Sequence, residues 1–508
     1  MKLRRVITSS KPRPRSSLWG VAAGLIALSA LAVAFFFRQG FTLYYGDAEA
    51  HLEIARRIVD SRTPGWDQVG TSWLPLPHWL MLPFVRDDQL WRTGLAGAIP
   101  SALAFVVGSL FFFGATRRIF DSDPAAVAAV ALFALNPNTL YLQSIPMNEI
   151  EEFACLAALL YFTVRFSETQ GWGSVAGAGI AACAGTLTRY DAWLLVPFVA
   201  LYFLAAAKQR RLAVALVFSA IALAGPLFWL FHNWWLNGDP LDFYWGPWSA
   251  RAIQGSAEYP GRGDWRLASL YYRTAAQLCA GECLPVIAIA GAAVALWRRA
   301  FWPLFLLLLP GALYVWSMHN GTVPIFMPVL KPFSYYNTRY GIAVLPLLAL
   351  AGGALVTIVP RRARAVIALL VVAAAAAPWV AHPSPSRWIT WEESRVNSES
   401  RRAWTKEAAD FLRPLYRPGT GILSSYGMQG IYREMGIPLR ETFTGDNGLP
   451  FQAAVLRPEL FLHEEWVVTV GGDPPQTAVE RAARHDIHYS LEKTIVTKDA
   501  PVIEIYRR

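Results

Sequence analysis

The stretch Leu18–Phe37, LWGVAAGLIALSALAVAFFF, decides the fold class. It carries no charge and matches the roughly 20 apolar residues that a helix needs to cross hydrocarbon. In lipid only a fully hydrogen-bonded helix or a closed barrel leaves no backbone group unsatisfied, so the run is read as a membrane-spanning helix. Ahead of it lie Lys2, Arg4, Arg5, Lys11, Arg13 and Arg15. This basic segment, residues 1–17, places the N-terminus in the cytoplasm. Ala30-Leu31-Ala32 has the small-residue spacing of a signal-peptide cleavage site, but the apolar run continues past it to Phe37, longer than the usual h-region. An uncleaved anchor is expected.

Working outward, further apolar runs occupy 94–115, 124–142, 150–166, 173–188, 192–207, 212–235, 284–297, 302–318, 340–359 and 365–381, giving about eleven spans in all. Two of them, 173–188 and 284–297, are short and rich in Gly or Ala, which fits tilted or broken helices. The loops that fall on the cytoplasmic side carry Arg117–Arg118, Lys208–Arg210–Arg211, Arg298–Arg299 and Arg361–Arg362–Arg364. The positive-inside rule agrees at each. With 54% hydrophobic and only 16% charged residues the chain is too apolar for a soluble class. Its 21 Trp and 19 Tyr suit two membrane interfaces. The net charge of +10 comes from these Arg clusters, and no basic face with interleaved aromatics points to nucleic acid.

The expectation is therefore a polytopic α-helical protein of the cell inner (plasma) membrane. Its transmembrane domain covers 18–382, with external loops 39–92, 237–283 and 319–338. From residue 383 charged residues become frequent. Short apolar runs (Gly421–Leu423, Trp466–Val470, Val502–Tyr506) alternate with helix-like stretches (Ser400–Arg413, Ala478–His485). Residues 383–508 are read as a small extracytoplasmic α/β domain. Cys155 and Cys183 lie in apolar runs as packing residues. Cys279 and Cys283 flank Ala-Gly-Glu in an external loop, open either to a local disulfide or to two free thiols at helical spacing.

Polar chemistry collects on the external side. Tyr44-Tyr45-Gly46-Asp47-Ala48-Glu49-Ala50-His51 leads into Ile54-Ala55-Arg56-Arg57-Ile58-Val59, an amphipathic helix expected on the membrane surface. Asp47 and His51, four apart, share a helix face and could jointly take a proton or bind a metal, whereas Glu49 and Glu53 point elsewhere. The alternative for Asp47 is a helix N-cap. Next comes the extended proline segment Trp73-Leu74-Pro75-Leu76-Pro77-His78-Trp79, where His78 is either a ligand-binding or an interfacial histidine. Three later segments follow: Ile145-Pro146-Met147-Asn148-Glu149, Leu187-Thr188-Arg189-Tyr190-Asp191-Ala192-Trp193 and Asn337-Thr338-Arg339-Tyr340. Glu149, with Glu151 and Glu152, would be expensive facing lipid and should face a wet cavity or the interface. The macrodipole offers a structural reason for acids at that helix start.

These four segments, in order and on one side of the membrane, resemble the GT-C glycosyltransferases. The likeness is strongest to the branch holding protein O-mannosyltransferases and the lipid A aminoarabinose transferase. It runs over roughly residues 18–360 and leaves the tail outside. The resemblance implies a GT-C-like fold and transfer of a sugar from a polyprenyl-phosphate donor to an acceptor (lipid, glycan or protein) on the external side, with inversion at the anomeric carbon. It makes Asp47 the first-loop acid and Glu149 the acid of the proline-then-acid motif, the two candidate catalytic residues, with Glu149 able to position the acceptor or to bind a metal with Asp47 and His51. The usual first-loop form is Asp-Glu, and Ala48 in the second place favours metal-free chemistry, although other branches use a divalent cation.

A phosphate leaving group calls for fixed cations, and the planar fork of arginine fits phosphate oxygens. Arg189 and Arg339 are the candidates, with Lys331 third, and interfacial snorkelling is the alternative for each. Tyr190, Tyr340, His51 and His78 join them as candidate donor-binding residues. An acceptor hydroxyl needs a carboxylate to take its proton, and Asp47 suits that role. A transporter or flippase of a lipid-linked sugar would use the same basic cavity without bond-making, but it would often show repeated halves, and none is found.

Overall fold

The computed structural model describes residues 16–255 and 257–508, so most of the expected cytoplasmic segment 1–17 lies outside the described residues. The chain divides into two compact units. The first takes the residues up to Gln39, Thr71–Pro77 and Ser101–Glu393, and the second takes Gly40–Gly70, His78–Pro100 and Ser394–Arg508.

Each apolar run expected to cross the membrane is helical, mostly within the first unit. Leu18–Arg38, Leu95–Phe120, Arg211–Asn237, Phe301–His319, Thr338–Ile358 and Arg361–Ala381 are long and apolar enough to span. Trp265–Ala280 and Cys283–Trp297, bent by 104° at their junction, add a seventh if counted as one broken span. By length and apolarity six of these helices qualify as spans on their own, and seven with the bent pair. The remaining runs are helices too short to cross alone, such as Asp123–Ala134, Trp172–Thr186 and Asp191–Ala206, or begin with three acids, as Glu149–Thr169 does. The run 124–142 breaks where Asn136 caps a new helix, Pro137–Leu142, its Oδ1 accepting from the Asn138 amide at 2.9 Å.

Small residues let these helices approach. A Cβ on Gly291 would lie 1.9 Å from the Ala351 carbonyl oxygen, so only glycine permits the helix Cys283–Trp297 to lie this close to Leu345–Leu355. Phe133 stacks on Phe153 at 3.8 Å in the same interior. Both Cys279 and Cys283 are free, which answers the disulfide question: they fall on either side of the 104° bend, and the Cys279 thiol donates to the Thr338 carbonyl.

The second unit is built on a five-stranded sheet of β1 (Ile422–Ser424), β2 (Thr442–Phe443), β3 (Trp466–Val470), β4 (Ser490–Ile495) and β5 (Ile503–Arg507), in the order β2-β1-β3-β5-β4. β2, β1 and β3 run parallel, and β5 is antiparallel to both β3 and β4. Ile422, Trp466, Val468, Ile503 and Ile505 pack with Trp404, Leu412, Ile431 and Tyr432 from flanking helices. The expected strands at 421–423, 466–470 and 502–506 are present. β2 has only two residues and β4 is largely exposed, so neither leaves an apolar signature.

The first-loop helix, Gly46–Val59, belongs to this unit. Its apolar face does not lie on a membrane surface as expected. Leu52 and Ala55 are fully buried with Met81, Val85, Trp91, Ala96 and Leu439, so the amphipathic pattern reflects packing against protein.

Candidate functional site

Four of the expected site residues converge in the first unit. The helix Glu149–Thr169 starts just after Pro146-Met147-Asn148, and its first turn carries Glu149, Glu151 and Glu152, where the macrodipole favours acids. Arg189 lies in the turn between Trp172–Thr186 and Asp191–Ala206. Arg339 and Tyr340 open the 3-10 segment Thr338–Val344, led in by Asn337 at φ +55°, a conformation that asparagine tolerates better than most residues.

One oxygen joins them. Glu149 Oε1 accepts from Arg339 Nε at 3.0 Å and lies 3.5 Å from Arg189 Nη1. Arg189 is fully engaged: Nη1 donates to Asn148 Oδ1 at 2.6 Å, Nη2 to the Tyr314 hydroxyl at 2.6 Å and Nε to Asp191 Oδ1 at 3.3 Å. Glu393 accepts from the Arg339 backbone amide at 3.1 Å and approaches its guanidinium at 3.8 Å. Both guanidinium carbons lie within 5.0 Å of the Tyr340 ring centre, and Tyr340 stacks on Tyr314 at 4.8 Å. Such cation–π contacts add to the ion pairs in holding the cluster rigid.

This cluster forms one wall of a cleft of about 490 Å³, measured with its open mouth. Glu149, Glu152, Arg189, Asp191, Tyr314 and Tyr340 supply the polar wall, and Phe133, Phe153, Leu156, Pro310 and Ile342 are among the apolar ones. Glu149 Oε2 and Glu152 Oε2 are buried without a hydrogen-bond partner among the described residues. A buried carboxylate oxygen without a donor is costly, and such exceptions mark a place where a ligand hydroxyl or water would bind.

The other candidates lie elsewhere. Lys331 is exposed, and its carbonyl accepts from the Tyr271 hydroxyl. Tyr190 is not on the cleft wall. Its hydroxyl donates to the Ser72 carbonyl at 3.0 Å and accepts from Trp229 Nε1 at 2.9 Å, while its ring stacks on Phe243 at 4.8 Å. Tyr190 therefore fastens the segment around Ser72. The expected extended stretch 73–79 ends at Pro75, because Leu76–Met81 is helical, with Pro77 in the first turn where it is tolerated.

Asp47, His51 and His78 belong to the second unit. The helix Gly46–Val59 is capped by Tyr45, so Asp47 sits inside the first turn and is not the N-cap. His51 Nδ1 and His78 Nε2 are 2.9 Å apart and both rings are buried. Burial, with His51 beside it, holds His78 well below the usual histidine range. The histidines are committed to each other rather than to an open surface.

The same helix carries two acids with opposite behaviour. Burial raises Glu49, but Arg433 and Arg401 more than reverse this and hold it below the usual carboxylate range. Burial pushes Glu53 up to about 7, with Arg433 pulling against it. A carboxyl whose folded value exceeds its unfolded one binds more protons when folded, so its contribution to stability falls as pH rises from about 4.5 through about 7. Thermal unfolding of this unit should accordingly drop by a few degrees between pH 5.5 and 7.5, and Glu53→Gln should flatten that slope. An unchanged slope in the variant would assign it to other groups.

The sequence named Glu152 among the acids expected to face a wet cavity and quoted Asn148 and Asp191 within the motifs, but gave neither Asn148 nor Asp191 a role, and it did not single out Tyr314 or Glu393. Tyr314 is an aromatic inside an apolar span, and Glu393 lies just beyond the last span, where no local pattern marks it.

The family model described as dolichyl-phosphate-mannose-protein mannosyltransferase matches residues 67–235. None of the curated proteins compared matches the sequence. Among solved structures, the chain is similar to ArnT from Cupriavidus metallidurans bound to undecaprenyl phosphate, at 12% identity and TM-score 0.58, covering 97% of this chain and 98% of that one. The apo state of the same ArnT gives 14% identity and TM-score 0.54, with 95% and 98% covered. This coverage takes in the tail, which the sequence resemblance had left outside. The helical unit, the sheet-bearing tail and these likenesses show that the chain has the GT-C fold of membrane glycosyltransferases.

Proposed function

We propose that this protein transfers a glycosyl unit from a polyprenyl-phosphate-linked sugar to an acceptor on the extracytoplasmic face of the plasma membrane. The observation that carries the reading is the two-faced cleft. Its apolar walls suit the hydrocarbon end of a lipid-linked sugar, and the unsatisfied oxygens of Glu149 and Glu152 suit sugar hydroxyls. That the structurally similar ArnT was crystallised with undecaprenyl phosphate supports the carrier class. The N-terminus is placed in the cytoplasm and the tail outside, on the distribution of Arg and Lys.

In the reaction the acceptor oxygen attacks the anomeric carbon, the bond from that carbon to the phosphate oxygen breaks, and polyprenyl phosphate leaves with inversion of configuration. Asp47 takes the acceptor proton. Glu149, with Oε1 shared between two guanidiniums, is better suited to positioning Arg189 and Arg339 than to moving a proton. Formal charge bears on the phosphate. Around the cleft two arginines meet four carboxylates, Glu149, Glu152, Asp191 and Glu393, so this wall favours hydroxyls over an anion. Lys331, exposed and outside the cleft lining, is a further candidate for the leaving phosphate. Among the described residues no three His, Cys, Asp or Glu side chains group as metal ligands, and no step is assigned to a divalent cation.

Sealed vesicles of both orientations test the reading. Labelled donor presented with a membrane extract as acceptor should give product only when the acceptor is on the face opposite the N-terminus. Product formed only on the N-terminal face would overturn the sidedness, and none on either face would overturn the reaction.

A further inference from the structure

The tail shares no motif with the proposed reaction, yet within the second unit its side chains grip the helix that carries Asp47. Arg401 brackets that residue. Its Nη2 donates to the carbonyls of Leu43 at 3.1 Å and Tyr44 at 2.8 Å, just before Asp47, and its Nε pairs with Glu49 Oε2 at 3.0 Å, just after it. Arg433 takes the other Glu49 oxygen at 2.5 Å and reaches Glu53 at 3.3 Å, one turn further on. Arg402 lies over the Tyr44 ring at 4.0 Å. Gly430 leaves no slack: a Cβ there would lie 2.5 Å from Glu49 Oε1. Arg433 is almost fully buried, so these are not surface ion pairs of negligible worth.

We infer that Arg401 and Arg433 are positioning residues that fix the Asp47 helix for transfer, making the tail an obligate part of the catalytic apparatus. The inference rests on the reading of Asp47 as the base. The bracket restrains the helix on both sides of Asp47, through backbone carbonyls before it and a side chain after it. Its loss would let the carboxylate drift, and a misplacement of about 1 Å can cost on the order of 100-fold in rate.

The test uses the purified full chain and two readouts. Hydrogen–deuterium exchange over residues 40–60 should rise in Arg401→Ala, in Arg433→Ala and in Gly430→Leu, which displaces Glu49 without removing either arginine. Transfer should fall by about 100-fold in kcat with the donor KM nearly unchanged, and Arg433→Lys should restore part of it. Faster exchange with unaltered kcat in folded variants would overturn the inference, as would unaltered exchange. If the wild type transfers nothing, the proposed reaction fails by itself, while the exchange measurement still decides whether the tail holds the helix. Should Arg433→Ala fail to fold, Gly430→Leu and Arg401→Ala carry the same test.

Discussion

Replacing Glu149 with alanine should destabilise the helical unit by about 3–5 kcal/mol, the usual consequence of removing one partner from a buried ion pair. The loss is large because one carboxylate serves two guanidiniums. Arg339, 5% exposed, would lose its carboxylate contact at 3.0 Å, and Arg189 would lose one of its acidic neighbours. Glu149→Gln should do much less harm. Its side-chain oxygen still accepts from Arg339, so shape and one hydrogen bond survive while the charge is lost. Thermal unfolding of the purified variants measures this directly: a drop for alanine well beyond that for glutamine fits a frame built on Glu149. Equal, small drops would mean that the cluster contributes little. Transfer by the glutamine variant separates the roles further. A positioning Glu149 leaves substantial turnover in Glu149→Gln, whereas a proton-transferring one loses nearly all of it.

Asp47→Asn should lower kcat by about 10²–10⁴-fold, the usual worth of a general base. Asparagine keeps the size of the side chain and cannot accept the acceptor proton. Asp47 is not the cap of its helix, so the substitution should leave Gly46–Val59 intact. Donor KM should change little, because the base acts on the acceptor. A comparable loss in KM with kcat preserved would instead make Asp47 a binding residue.

Much of the fold was legible because a membrane span announces itself through local composition. Leu18–Phe37 and the five other long apolar stretches needed no partner to be recognised. Where Asn136-Pro137 breaks the run 124–142 into two helices, hydropathy reads on across a break it cannot see. The helix 46–59 was correctly recognised as amphipathic, but periodicity reports that one face is buried and not what buries it. The core around Leu52 and Ala55 includes Leu439, nearly 400 residues away. Long-range contact also limited the site. Glu149, Arg189 and Arg339 were found from short motifs and do converge, yet their partners Tyr314 and Glu393 come from segments without local signals. His51 and His78, separated by 27 residues, proved to be bonded to each other, a pairing that no spacing rule would have suggested.

The most direct test follows labelled sugar from a polyprenyl-phosphate donor after adding purified wild-type protein and a membrane extract, alongside a measure of donor movement between leaflets. Label should leave the carrier and appear in an acceptor, with free polyprenyl phosphate released in equal amount. Donor that moves across the bilayer with its sugar still attached, and no label in any acceptor, would contradict the proposed transfer and make the protein a transporter of the lipid-linked sugar.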